Sequence, residues 1–222
     1  MITLIYSDDS LLRFGYDMII PCSLVQSGEQ LTVELYPALE DSFRCWYREI
    51  QGDPMSAVHL EELHKRFQNQ ITEWGYCPSG YCPEHHLLCY RADAPVFIPD
   101  NTPDALPRAQ WNGCSDLTGF EPEEGAVCYG IESDGCIVAV AGENLTLREG
   151  QLAEIAVETA PAYRRRGYAS HLIRVVTNDL CKQGFTVIYK TDLTNLASQK
   201  AAKKAGLELS GTEYHFCFDI DE

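Results

Sequence analysis

Arg164-Arg165-Arg166-Gly167-Tyr168-Ala169 decides how this chain is read. It follows the apolar run Leu152-Ala153-Glu154-Ile155-Ala156-Val157 and precedes an amphipathic helix pattern. The order is a strand, a tight basic turn, then a helix that starts at a glycine. A helix N-terminus presents unpaired backbone N–H groups and the positive end of the helix dipole, which together suit a phosphate or pyrophosphate. Gly167 lets the backbone approach such an anion, and Ala169 keeps the first turn narrow. Three arginines add forked donors matched to phosphate oxygens. A basic surface loop ahead of an ordinary helix would carry the same residues, because short motifs recur by chance. The flanking sequence separates the two.

Outward from this turn, Gly167 to Gln183 sets Ala169, Leu172, Ile173, Val176 and Leu180 on one helical face, with Gly184 suited to the C-terminal cap. Upstream, Ala126 to Glu132 and Cys136 to Ala141 are β-type runs joined by Ser133-Asp134-Gly135. Asp-Gly between apolar runs predicts a hairpin. Leu152 to Glu158 is the next strand. Downstream, Phe185 to Lys190 reads as a short buried strand, and Asn195 caps a helix that runs to Ala205 and ends at Gly206. Leu207 to Phe218 supplies one or two final strands. The order β-β-β-α-β-α-β predicts an α/β (α+β) fold with a mixed, mostly antiparallel central sheet flanked by helices.

Residues 157 to 169, Val157-Glu158-Thr159-Ala160-Pro161-Ala162-Tyr163-Arg164-Arg165-Arg166-Gly167-Tyr168-Ala169, resemble the acetyl-CoA-binding signature of the Gcn5-related N-acetyltransferase (GNAT) superfamily. That signature is an Arg or Gln, two variable residues, Gly, one variable residue, then Gly or Ala. A second block, Asn195-Leu196-Ala197-Ser198 followed by Lys204-Ala205-Gly206-Leu207, is similar to the family's Asn-x-x-Ser helix ending in a Gly-hydrophobic pair. Both blocks stand in the family's order, and the resemblance covers about Ala126 to Asp219. It implies an acetyl-CoA-dependent N-acetyltransferase with acetyl-CoA as cosubstrate. The pyrophosphate would lie at residues 164 to 170, so Ser170 joins the six residues quoted first.

Acyl transfer from a thioester to an amine needs a polarised carbonyl, a deprotonated amine and a protonated leaving thiolate. The resemblance gives the backbones of Ile155, Ala156 and Val157 the task of holding the pantetheine arm, and it gives Asn195 and Ser198 hydrogen bonds to that arm. Glu154 is the candidate base, because a carboxylate in an otherwise apolar strand needs a reason to be there. Partial burial makes a carboxyl a stronger base, and Ala153-Glu154-Ile155 repeats the context in which some family members carry theirs. Glu154 could instead be an exposed strand residue or an ion-pair partner of Arg166, with Glu158 as the weaker alternative base. Many family members place a proton-donating tyrosine near the middle of the second helix. Here that position is Ala202, a departure that leaves Tyr214, Tyr163 or a bound water to protonate the thiolate. It also keeps open an acetyl-CoA-binding regulatory or sensor module with little catalysis.

Composition bounds the rest. The chain has 222 residues, 45% hydrophobic and 23% charged, enough for one large or two small domains with a real core. The division read here is an acidic N-terminal extension or small domain, residues 1–105, ahead of a GNAT-like domain over 106–222. Ser56 to Trp74 is the one good helix candidate in the first part, and Pro95 to Pro107 reads as a connector. No apolar run reaches the ~20 residues needed to cross a bilayer. The N-terminus lacks the basic start of a signal peptide. The ten cysteines mostly sit singly in apolar runs, as Cys128, Cys136, Cys181 and Cys217 do, where cysteine acts as a small hydrophobe. The expected compartment is a reducing cytoplasm. Cys77, Cys82, His85, His86 and Cys89 carry zinc-type ligands, but their spacing matches no familiar finger and a structured loop is expected instead, with no metal.

The net charge of −16 lies wholly in residues 1–147, which hold 23 acidic and 7 basic residues; residues 148–222 hold ten of each. Nucleic acid and membrane are therefore not expected partners, and a small-molecule or peptide amine, attracted all the more if cationic, is. Both a monomer and a homodimer stay open.

Overall fold

The computed structural model describes residues 1–7, 18–74, 76–78, 82, 85–98, 102–111, 114–115, 117, 119 and 123–220. They form two compact units. The first comprises residues 1–88, 192–194 and 211–222, and the second residues 89–191 and 195–210. No helix among the described residues is long and apolar enough to cross a membrane.

In the first unit, β1 (Ile2–Tyr6) runs parallel to β3 (Gln30–Leu35), and β3 pairs antiparallel with β2 (Met18–Ser27). Two helices follow, α1 (Glu40–Glu49) and α2 (Ala57–Glu73). The second is the helix expected from Ser56 to Trp74: the Ser56 hydroxyl caps it by accepting the His59 N–H, and Leu60, Leu63, Phe67 and Ile71 are buried along one face. The core adds Phe43 and Trp46 of α1 and Tyr214, Phe216 and Phe218. These last three lie on β12 (Glu208–Ile220), whose partners in this unit are β2 and, over residues 218–220, the short strand at 76–78. Each such side chain contributes about 1.5–3 kcal/mol of burial.

The stretch read as a structured loop, Gly75 to Cys89, holds two strands, β4 (Tyr76–Pro78) and the start of β5 (His86–Ala92). His86 is buried against the Tyr214 ring and Cys89 is in no disulfide. The side chain of Cys77 lies outside the described residues, among which no group of metal-ligating side chains is arranged to hold an ion.

His64 of α2 sits in this core at 2% exposure, and its Nε2 lies 2.8 Å from the Tyr214 hydroxyl, which also accepts the Cys82 N–H at 3.1 Å. Its Nδ1 has no hydrogen-bond partner among the described residues. Burial is the main cause that brings its pKa down from 6.5 to about 4. Between these values the unfolded chain binds the extra proton, so stability rises with pH across the window and is lost as pH falls from 6.5 toward 4. The expected loss is about 3 kcal/mol. Denaturation midpoints between pH 7 and 4 should show it, and a His64→Gln variant should have a shallower slope than wild type by that amount. Equal slopes would remove His64 as the cause.

In the second unit the strands run in the order β5 (its residues Cys89–Ala92), β11 (Thr186–Asp192), β10 (Leu152–Thr159), β9 (Cys136–Glu149), β8 (Cys128–Ser133) and β6 (Leu106–Pro107), with β7 (Cys114–Ser115) also on β9. The pairs β6–β8, β8–β9 and β9–β10 are antiparallel, whereas β10–β11 is parallel. This is the expected mixed, mostly antiparallel sheet. The hairpin at Ser133-Asp134-Gly135 forms, with Asp134 and Gly135 both at positive φ.

The helix α3 (Tyr168–Lys182) packs across β8, β9 and β10 and against α4 (Leu196–Ala205), burying Leu172, Ile173, Val176 and Leu180. Gly206, at φ +93°, ends α4, and a Cβ there would stand 2.3 Å from Val96 Cγ1. Cys128 and Cys217 are buried thiols and Cys181 a half-buried one, none of them in a disulfide, as expected. Cys136 differs: it is disulfide-bonded, and its backbone lies in register with Cys114.

Candidate functional site

The central feature is a strand pair that comes apart. Leu152, Ala153 and Glu154 of β10 pair with Thr186, Val187 and Ile188 of β11, and no further register pair forms although both strands run on, to Thr159 and Asp192. Beyond Glu154 this edge of β10 has no partner strand and opens on a cleft; the amides of Ile155 and Val157 point to it, whereas Ala156 turns its backbone groups to Gly142 of β9. On its other side β10 keeps its register with β9 through Thr159, after a register shift between Leu152 and Glu154. Such irregularities re-aim side chains, and this one falls at Glu154.

Alternation puts Ala153 and Ile155 into the core and Glu154, Ala156 and Glu158 on the opposite face. Glu154 has 23% of its side chain exposed, and its Oε2 lies 3.4 Å from Nζ of Lys190, which is 28% exposed. The carboxylate thus has a cationic neighbour, but not the Arg166 considered from sequence. Arg166 donates to the Ala162 carbonyl at 3.3 Å and stacks on the Tyr163 ring, 4.7 Å from its centroid. Glu158 Oε2 accepts the Gly119 N–H at 3.0 Å.

The chain leaves β10 through a short 3₁₀ turn, Pro161–Tyr163, and reverses into α3 through two left-handed residues, Arg165 (φ +65°) and Gly167 (φ +88°). A non-glycine residue with positive φ stores on the order of 1 kcal/mol, and such residues gather at ligand clamps. The Gly167 carbonyl accepts the first helical bond, from the His171 N–H at 3.1 Å, and the Ser170 hydroxyl at 2.9 Å. The amides of Tyr168, Ala169 and Ser170 precede that first bond and point out of the helix end. Arg164, Arg165 and Arg166 are exposed around them; Arg164 Nε donates to the Thr159 carbonyl at 3.1 Å. A Cβ on Gly167 would stand 3.5 Å from Nζ of Lys204 near the end of α4, so a fourth cation flanks the turn.

Asn195 caps α4: its side-chain oxygen accepts the Ser198 N–H at 3.1 Å. The Ser198 side chain is hydrogen-bonded to the Tyr189 hydroxyl, whose pKa burial raises. Ala202, at the position where a proton-donating tyrosine was sought, is fully buried within α4. Of the substitutes considered, Tyr163 lies under Arg166 at the basic turn, and Tyr214 is committed to His64 and Cys82 in the first unit's core.

Three residues next to the expected site carry no site role in the sequence reading: Lys190, Tyr189 and Lys204, the last quoted there only within the second family block. Lys190 closes an apolar run, the one local hint of it, and only the parallel register brings it to Glu154. An open cavity of about 550 Å³ lies elsewhere in this unit, lined by Arg108, Glu123, Cys128, Tyr129 and Asp179 among others. No residue expected to bind or catalyse lines it. Burial pushes the Cys128 thiol there up to about 12.

The sequence model of the Acetyltransferase (GNAT) family matches residues 87–207. Among solved structures, the chain is similar to a GNAT-family protein from Novosphingobium aromaticivorans, at 24% identity and a TM-score of 0.49 over 62% of this chain and 66% of that one. A GNAT-family acetyltransferase from Colwellia psychrerythraea matches at 24% identity and 0.36, over 42% and 35% of the two chains. A GCN5-related N-acetyltransferase from Kribbella flavida matches at 17% and 0.47, over 78% and 79%. The match spans less than two thirds of the first two of these proteins. No curated protein matches the chain. With more than half of its residues fitting the family's sequence model, the chain belongs to the GNAT acetyltransferase family, whose chemistry is acyl transfer.

Proposed function

We propose that the chain is an acetyl-CoA-dependent N-acetyltransferase that moves an acetyl group to a primary amine by direct attack in a ternary complex, with residues 106–222 as its catalytic part. The observation that carries this reading is the separation of β10 from β11 just past Glu154. The residues fit the cosubstrate's chemistry. A left-handed glycine at a helix N-terminus, three arginines and Lys204 form a cationic cradle for phosphate groups. Bound there, acetyl-CoA would supply the acyl group as a thioester.

Residues 164 to 170 would hold the pyrophosphate. The cleft-facing amides of Ile155 and Val157, with Ala156 between them anchored to β9, would hold the arm and favour charge on the carbonyl oxygen, a contribution of about 3 kcal/mol for one well-aimed donor. Asn195 and Ser198, at the start of α4, would hydrogen-bond the same arm. Glu154 would take the proton of the incoming ammonium, with Lys190 compensating its charge until the acceptor arrives.

A panel of amines tested for CoA release, with calorimetry of acetyl-CoA binding beside it, decides the matter. Release with one class of amine is the expected result. Binding without release from any amine would favour the second reading, a sensor module, for which the buried Ala202 speaks. No binding at all would end both.

The acidic balance of residues 1–147 makes a cationic amine the expected acceptor. Exposed charges are screened beyond about 8 Å at physiological salt. Efficiency toward a cationic acceptor should therefore fall several-fold between low and physiological salt, while that toward a neutral amine analogue holds. A kcat/KM for the best acceptor that ignores salt would reduce the charge to a solubility device.

A further inference from the structure

We infer that Lys190 is itself an acceptor, and that the chain acetylates its own side chain there; this rests on the acetyl-CoA reading above. The parallel register ends at Glu154 opposite Ile188, so Lys190 lies two residues further along β11, where the two strands no longer pair and the cleft begins. Its Nζ lies 3.4 Å from the Glu154 carboxylate, on the same face of the sheet. A primary amine, a carboxylate able to deprotonate it and the proposed carbonyl-holding amides thus meet in one cleft. The other five lysines, Lys65, Lys182, Lys200, Lys203 and Lys204, all lie on helices and are exposed, whereas Lys190 is only partly so.

The step balances with acetyl-CoA as the co-reactant. Glu154 takes one proton from the Lys190 ammonium, and the neutral Nζ attacks the acetyl carbonyl carbon. The C–N bond forms and the C–S bond breaks. The nitrogen's second proton goes to the departing thiolate, and Glu154 returns its own to solvent. A neutral amide then replaces the cation beside Glu154.

Peptide mass spectrometry after incubation with isotope-labelled acetyl-CoA tests this, with calorimetry on the same preparation. Uncatalysed acetylation favours exposed amines, so it ranks Lys190 below the other five. Self-acetylation reverses that order: Lys190 should gain label at least about tenfold faster, at a rate independent of protein concentration, since the step is intramolecular. Glu154→Gln should bring its rate down by about 10²-fold or more, toward the background. Lys190→Arg should leave labelling of the other five unchanged. Binding of acetyl-CoA with Lys190 labelled no faster than the exposed lysines would overturn the inference alone. So would a Lys190 rate indifferent to Glu154→Gln. Absence of binding would overturn it together with the proposed function.

Discussion

Gly167→Glu is expected to abolish acetyl-CoA binding. Gly167 holds φ +88°, and its missing side chain leaves the first-turn amides of α3 open beside Lys204. Any side chain there meets the left-handed strain of about 1–2 kcal/mol, and glutamate adds a negative charge where the phosphates would sit. Gly167→Ala separates the two effects: strain acts on free and bound protein alike, so it should lower stability by about 1–2 kcal/mol and largely spare affinity, whereas the glutamate variant should give no measurable heat at millimolar ligand. Circular dichroism should report an intact fold in both. Unchanged affinity in Gly167→Glu would mean that the pyrophosphate does not bind at residues 164 to 170.

Glu154→Gln should keep acetyl-CoA affinity and lower kcat. Removing a general base costs about 10²–10⁴-fold, and the phosphate cradle at residues 164 to 170 is untouched. The residual rate should climb with pH, because more of the amine then arrives neutral without help from the protein. Glutamine also loses the ion pair with Lys190, so Lys190→Met is the needed control: if the pair matters only for packing, both variants lose similar turnover. A Glu154→Gln enzyme with full turnover would move the base elsewhere. Glu158 would be the next candidate, although its carboxylate is bonded to the Gly119 amide.

The local signals were strong where one element carries them. The caps at Ser56, Gly167, Asn195 and Gly206 and the Asp134-Gly135 turn were legible because capping and turn chemistry act within a few residues. The first unit's strands and α1 were less so. In α1 only Phe43 and Trp46 are buried, a pattern too brief to stand out among polar and aromatic neighbours. The polar stretch Gly142 to Glu149 gave no strand signal either, yet β9 runs through it: Glu143 is buried there with Arg148 at its carboxylate, a pairing that hides the charge from any hydropathy pattern.

The sequence alone determined the order of elements in residues 126–219, the basic turn at 164–169 and Glu154 as an oddity in an apolar strand. Those depend on periodicity, caps and turns, all short-range. Only the tertiary structure decided that β10 and β11 part beyond Glu154, that Lys190 and not Arg166 faces it, that Lys204 flanks Gly167, and that Tyr214 belongs to a buried pair with His64. These sites set side by side residues that are 34 to 150 positions apart in the chain. Strand register and helix docking fix such neighbours, and both follow from how whole faces pack, which no local stretch of residues encodes.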